Sequence, residues 1–183
     1  PLFLYIHLGP PHMPYQPPEP FRSRFSGGAL DSLVDGSIRD TTDIMVEGSS
    51  PGHPDVVRLV ELYDGHVAYA DSVIRRSVRA VEAGDRRELP VVLVTSDHGE
   101  AFMQHGAVGH SLFCYEPMIR IPWILSAPGV PIDGRRVTGT GSLLDVLPTL
   151  VELFGLPRPD QPMSGVSLVP ELLEGGRIED RPL

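Results

Sequence analysis

An α/β fold with a mostly parallel central sheet flanked by helices is what this sequence predicts, on three observations. A long helical stripe is followed directly by a β-branched run, and a group of metal-type ligands stands where that run ends. The stripe covers 55–83, with apolar residues at Val56, Leu59, Val60, Tyr63, Val67, Ala70, Ile74 and Val78 at spacings of three and four. Gly65 weakens it slightly and Gly84 ends it. The run Leu89-Pro90-Val91-Val92-Leu93-Val94-Thr95 has the continuous β-branched content of a central parallel strand covered on both faces. Helix followed by buried strand is the wiring of a βαβ unit.

The other elements follow in order. Residues 2–8 are apolar and aromatic and end at Gly9-Pro10-Pro11, which reads as a buried strand stopped by a proline-rich loop. Residues 10–54 are rich in Pro, Gly, Ser and Asp without periodicity, an irregular excursion of the length that usually carries function. Residues 118–126 predict a further strand, which Pro122 pushes toward an edge or bulge. Leu143 to Phe154 predicts a short amphipathic helix closed by Gly155, and the rest is turn-rich. No internal repeat occurs. The whole chain, 1–183, reads as part of one domain.

Composition narrows the function classes. A formal charge of −9 opposes nonspecific attraction to nucleic acid or anionic lipid, so an anionic substrate must be drawn by a local cation. All 15 basic residues are arginine, and lysine is absent. No stretch approaches the ~20 apolar residues of a membrane span. The single cysteine, Cys114, excludes an internal disulfide and a multi-thiolate zinc site, and its place in Leu112-Phe113-Cys114-Tyr115 reads as a buried, inert thiol.

The chemistry concentrates in Thr95-Ser96-Asp97-His98-Gly99-Glu100, at the end of the buried run. Asp97 offers a hard oxygen and His98 a neutral imidazole nitrogen, a pair suited to Mn²⁺, Zn²⁺ or Ca²⁺, while Gly99 lets the backbone turn sharply enough for both to face one ion. Taken alone the tripeptide also fits a helix cap beside a surface histidine. Its company argues for more: His105 and His110 follow in His105-Gly106-Ala107-Val108-Gly109-His110, each beside glycine and open to an anion or metal. Each also fits an ordinary loop histidine. At the other end, His7 and His12 flank the exit of the first predicted strand. If that strand runs parallel to the one ending at Asp97, the two exits open on one rim of the sheet.

Four blocks, in order, carry a resemblance. His7 to Pro18 resembles the His-x-x-Asp-Pro-His-x-Pro-Tyr-x-Pro-Pro stretch of bacterial sulfatases, and Ser96 to Pro122 resembles their Ser-Asp-His-Gly-Glu…His-Gly…Gly-His…Tyr…Arg-x-Pro block. Leu144 to Leu150 is similar to their Asp-x-x-Pro-Thr helix, and Gly165-Val166-Ser167-Leu168 to their Gly-x-Ser-Leu turn. The resemblance implies an alkaline-phosphatase-like sandwich, here incomplete, with Asp97 and His98 as two ligands of a divalent ion (Ca²⁺, Mn²⁺ or Zn²⁺). It implies that His12 contacts a sulfate-ester oxygen or the leaving group, and that His110 contacts the substrate where many sulfatases carry lysine, a role that then titrates near neutrality. His105 is a further substrate-binding candidate.

Pro10 departs from the pattern, standing where aspartate is usual. The family's nucleophile, a Cys/Ser-x-Pro-x-Arg site matured to formylglycine, and its Asp-Asp ligands occur nowhere in these residues, which places them in an N-terminal half of the same protein and predicts no turnover by this chain alone. The implied activity is sulfuric ester hydrolysis. The alternatives are a phosphoric or phosphonate ester hydrolase or phosphoethanolamine transferase of the same superfamily, toward which Asp-His at the metal tilts, and a noncatalytic fragment. Periplasmic or membrane-associated placement is implied by the resemblance only.

Overall fold

The structure, a computed structural model, describes residues 2–27, 32–84, 89–110, 113–132 and 134–181. The chain divides into two compact units, Pro1–Arg86 with His98–Ile121, and Arg87–Asp97 with Pro122–Leu183.

The first unit is built on two helices. Helix α1 (Ile38–Glu47) lies inside the stretch predicted as irregular. Ser37 and Asp40 close a capping box at its start, and Gly48, left-handed at φ 65°, ends it. Periodicity missed it because its inward face buries only Thr41 and Ile44. Helix α2 (Pro54–Glu82) matches the predicted stripe within a residue at each end, opened by His53 as N-cap and by Pro54 at its first position. It buries Val56, Leu59, Leu62, Gly65, His66 and Ala70, so the inner face turns toward Leu62 and His66, and Val67 is exposed. Gly65 is no defect: a Cβ there would lie 2.5 Å from the Phe21 carbonyl oxygen, so glycine admits a close approach of the loop.

Strands β2 (Ala101–Phe102) and β3 (Val108–Gly109) follow, paired antiparallel as a short hairpin, then the single-turn helix α3 (Glu116–Ile119). Tyr15, Ile44, Val56, Leu59, Leu62, Phe102, Met103 and Val108 make one core, with Tyr63 packed against it. Tyr15, Tyr63 and Phe102 meet at ring separations of 4.9 to 5.6 Å.

His66 gives this unit a measurable acid sensitivity. Burial holds its imidazole below the ordinary histidine value, and Nδ1 has no hydrogen-bond partner. As pH falls the unfolded chain takes the proton first, so stability present above the unfolded value of 6.5 is lost on descent toward the lower folded value. Urea midpoints should therefore drop between about pH 7.5 and pH 5, and His66→Gln should flatten that drop. An equal drop in the variant would show another group to be responsible.

In the second unit, β1 (Val92–Thr95) pairs antiparallel with β4 (Trp123–Ser126), Val92 opposite Ser126 and Thr95 opposite Trp123. The one described neighbour of β1 is antiparallel, so a mostly parallel central sheet is not seen among the described residues; a β-branched run encodes burial and not direction. The faces of β1 are only half covered. The run predicted as one strand over 118–126 divides: Met118 and Ile119 finish α3, and the strand begins immediately after Pro122, whose missing N–H suits a boundary. Residues 2–8 form no strand, and Leu2 to Ile6 are exposed. No described strand lies beside them, and a β-strand needs a neighbour for its backbone N–H and C=O groups. Thus α/β holds as the fold class, with two small antiparallel pairs among the described residues.

The helix predicted over 143–154 opens as a 3₁₀ turn (Leu143–Asp145) and continues as α4 (Val146–Leu153); α5 (Val169–Glu174) follows. Two of the sequence blocks join here. The Asp145 carboxylate accepts from Val166 N at 2.9 Å, and Thr149 Oγ1 accepts from Leu168 N at 3.0 Å. A Cβ on Gly165 would lie 2.0 Å from the Leu144 carbonyl oxygen, so only glycine lets that turn close onto the helix start. No described helix is long and apolar enough to cross a membrane.

Candidate active site

Three of the histidines singled out in the sequence meet in the first unit. His12 sits in a tight turn after Gly9, whose carbonyl accepts the His12 N–H at 2.9 Å. His98 leads into β2, and His110 directly follows β3, so the hairpin brings them together. The rings of His98 and His110 stack at 3.8 Å between centroids, and His12 meets His110 edge-on at 5.0 Å. Loop, hairpin start and hairpin end thus converge, although the strand expected to deliver His12 is absent.

Hydrogen bonds fix how these rings are presented. His98 Nδ1 lies 2.8 Å from the Gly99 carbonyl oxygen and His12 Nδ1 2.7 Å from that of Met13. A carbonyl can only accept, so in both rings Nδ1 carries the proton and the neutral form has its lone pair on Nε2. That is the form a metal or a proton-transfer step requires of imidazole.

Glu100 organises the group, a role sequence reasoning missed. Its side chain is 5% exposed; Oε1 lies 2.9 Å from His110 Nδ1, and Oε2 accepts from the Tyr15 hydroxyl at 2.8 Å. Tyr15 is wholly buried, and burial first, then the Glu100 charge, pushes its phenol far above the usual tyrosine range, so it remains a donor. Two positive rings stacked as His98 and His110 are would repel, and Glu100 supplies one negative charge for the pair. The available signal was the position of Glu100, two residues past His98, and of Tyr15, three past His12, each within a block already marked.

Gly99 works differently from the sharp turn expected of it. Its φ is not left-handed; instead its N–H donates to the Met118 carbonyl at 2.6 Å, and a Cβ would lie 2.2 Å from the Pro117 carbonyl oxygen. Close approach of α3 is what demands glycine.

His105 is exposed on the β2–β3 turn, its ring stacked on Tyr115 at 3.9 Å. His7 is exposed. Asp97 belongs to the second unit, two residues past the end of β1, exposed, with Ser96 Oγ 3.4 Å from its Oδ1. Cys114 is exposed rather than buried, because the loop before α3 spends its aromatics on one another, Phe113 beside Tyr115 at 5.5 Å. Among the described residues no group of three or more His, Cys, Asp or Glu is arranged to hold a metal ion. By residue type, the imidazole nitrogen of His98 and the carboxylate oxygen of Asp97 are each donors that divalent ions take.

Known proteins bear out the resemblance. A phosphonate monoester hydrolase of Agrobacterium radiobacter matches with TM-score 0.67 and 26% identity over 92% of this chain and 37% of its own. A protein solved in complex with its substrate D-glucosamine-2-N,6-O-disulfate matches in fold, at TM-score 0.59 and 24% identity, over 73% of this chain and 28% of its own. Such neighbours define an α/β protein of the alkaline-phosphatase-like class. Within that class the chain belongs to the sulfatase family, whose model matches residues 1–156. Human arylsulfatase K is 32% identical over 108 residues, 59% of this chain. The chain spans about a fifth of the length of the curated relatives it matches first, 20% of human arylsulfatase K.

Proposed function

We propose that the complete protein is a metal-dependent sulfuric ester hydrolase, with His12 and His110 on the substrate, His105 beside it, and Asp97 and His98 as two metal ligands. The observation that carries this reading is the meeting of His12, His98 and His110 around the buried Glu100, on loops of a chain of the sulfatase family. A divalent ion, Ca²⁺, Mn²⁺ or Zn²⁺, would supply Lewis-acid polarisation of the ester oxygen and stabilise the nucleophile.

The chain's own residues have separate tasks. His12, with Nδ1 donating to the Met13 carbonyl, acts as general acid in its doubly protonated form, passing the Nε2 proton to the departing alkoxide and returning to the neutral ring. His110, with Nδ1 donating to Glu100, holds a non-bridging ester oxygen when Nε2 also carries a proton and donates it as a hydrogen bond. A formylglycine nucleophile and the remaining metal ligands are contributed by parts of the protein outside these 183 residues, because no Cys/Ser-x-Pro-x-Arg occurs within them. In the complete protein β1 joins a larger, mostly parallel central sheet.

A phosphonate ester is the second reading, favoured by the likeness to the Agrobacterium radiobacter hydrolase. Turnover of nitrophenyl sulfate against nitrophenyl phosphonate by the complete protein separates the two. Sulfate turnover that disappears on chelation is expected, and Asp97→Ala should weaken divalent-metal binding by calorimetry. Turnover of phosphoryl esters alone would remove the sulfatase reading.

A further inference from the structure

We infer that Tyr15 and Glu100 are positioning residues for His110, holding it as the Nδ1–H tautomer so that Nε2 is the ring atom offered to the ester. The inference rests on the placement of His110 at the substrate proposed above, and the geometry adds how that placement is maintained.

Glu100 is nearly enclosed, and a buried carboxylate needs donors for its oxygens. It has one on each: Tyr15 hydroxyl on Oε2 and His110 Nδ1 on Oε1. Tyr15 is fixed in turn by the core, wholly buried between Tyr63 and Phe102, and its N–H donates to the Gly36 carbonyl at 2.8 Å. Thus a chain of bonds runs from the hydrophobic core through Tyr15 and Glu100 to a histidine with 24% of its side chain exposed. Since a carboxylate accepts and cannot donate, His110 must carry its proton on Nδ1, the reverse of the form that the neutral histidine side chain favours in water. The same bond stops the ring from flipping, which would exchange the atom facing the substrate. Neither residue touches the ester; each acts through His110.

Imidazole nitrogen and carbon chemical shifts of the 183-residue chain, recorded at about pH 9 where free imidazole is neutral, read the tautomer directly. In the wild type His110 should give the Nδ1–H signature. Glu100→Gln should retain it, because the amide oxygen still accepts, and Glu100→Leu should lose it in favour of Nε2–H. Tyr15→Phe keeps the buried ring and should give a mixture. A wild-type Nε2–H signal at His110 overturns the inference even if Glu100→Leu does not fold, and so does an unchanged tautomer in a folded Glu100→Leu. The readout involves no ester, so absence of sulfatase turnover would remove the functional reading and leave the hydrogen-bond relay intact.

Discussion

Asp145→Ala is expected to lower the unfolding free energy by about 3–5 kcal/mol, the usual result of removing one member of a buried ion pair. The Asp145 side chain is wholly enclosed and joins three parts of the second unit. It accepts from Ser142 N at 2.8 Å, completing the capping box ahead of α4, from Val166 N at 2.9 Å in the turn closed by Gly165, and from the Arg181 guanidinium. Alanine leaves two amides without an acceptor and a guanidinium, 20% exposed, without its counter-charge. Arg181→Ala should cost less, because the carboxylate keeps both amide donors. Denaturant midpoints of the two single variants and the double variant measure the coupling. A loss within about 0.5 kcal/mol for Asp145→Ala, the range of an ordinary surface substitution, would mean that the carboxylate does not hold these segments together.

That result bears on what sequence blocks mean. Asp145 and Thr149 stand in a motif marked by resemblance, and the structure gives both a structural task, accepting the Val166 and Leu168 amides. His12, His98 and His110 were legible because each stands in a block with glycine or proline beside it, where packing alone gives little reason for imidazole. Glu100 and Tyr15 were less legible. A glutamate two residues after a histidine looks solvated until the fold closes a hydrophobic core around its neighbour, and Tyr15 reads as any aromatic after proline.

The same distinction runs through the fold. Helix α2 was readable because its inner face is long and apolar, whereas α1 depends on the Ser37–Asp40 capping box and on Gly48 more than on a stripe. Strand direction was not readable at all. The run at Val92–Thr95 pairs antiparallel with Trp123–Ser126, and nothing in Val-Leu-Val-Thr specifies which neighbour it takes. Residues 2–8 have strand composition without a strand, since composition supplies the side chains and only a neighbour supplies the ladder.

Gly99→Ala should reach the chemistry through packing alone. Ordinary carbon–oxygen contact is about 3.4 Å, near the optimal separation of nonbonded heavy atoms, and the new methyl would start 2.2 Å from the Pro117 carbonyl oxygen and 3.1 Å from that of Arg120. Neither oxygen belongs to a side chain that can swing away. Pro117 lies in α3, whose end is pinned by Arg120 N to Glu116 O at 2.9 Å and whose Met118 is buried. The displacement must fall largely on His98 and Glu100, at an overpacking cost of about 1–3 kcal/mol. Moving those residues by about an ångström breaks the alignment of the 3.8 Å stack and the 2.9 Å bond to His110, and misplacement on that scale costs on the order of 10²-fold in rate. The complete protein carrying Gly99→Ala should therefore lose about that factor in kcat/KM while remaining folded, whereas Gly52→Ala, whose methyl meets nothing within 4 Å, should leave it unchanged. Equal activity in both variants would mean that the spacing between the His98–Glu100 segment and α3 does not set the geometry of the histidine group.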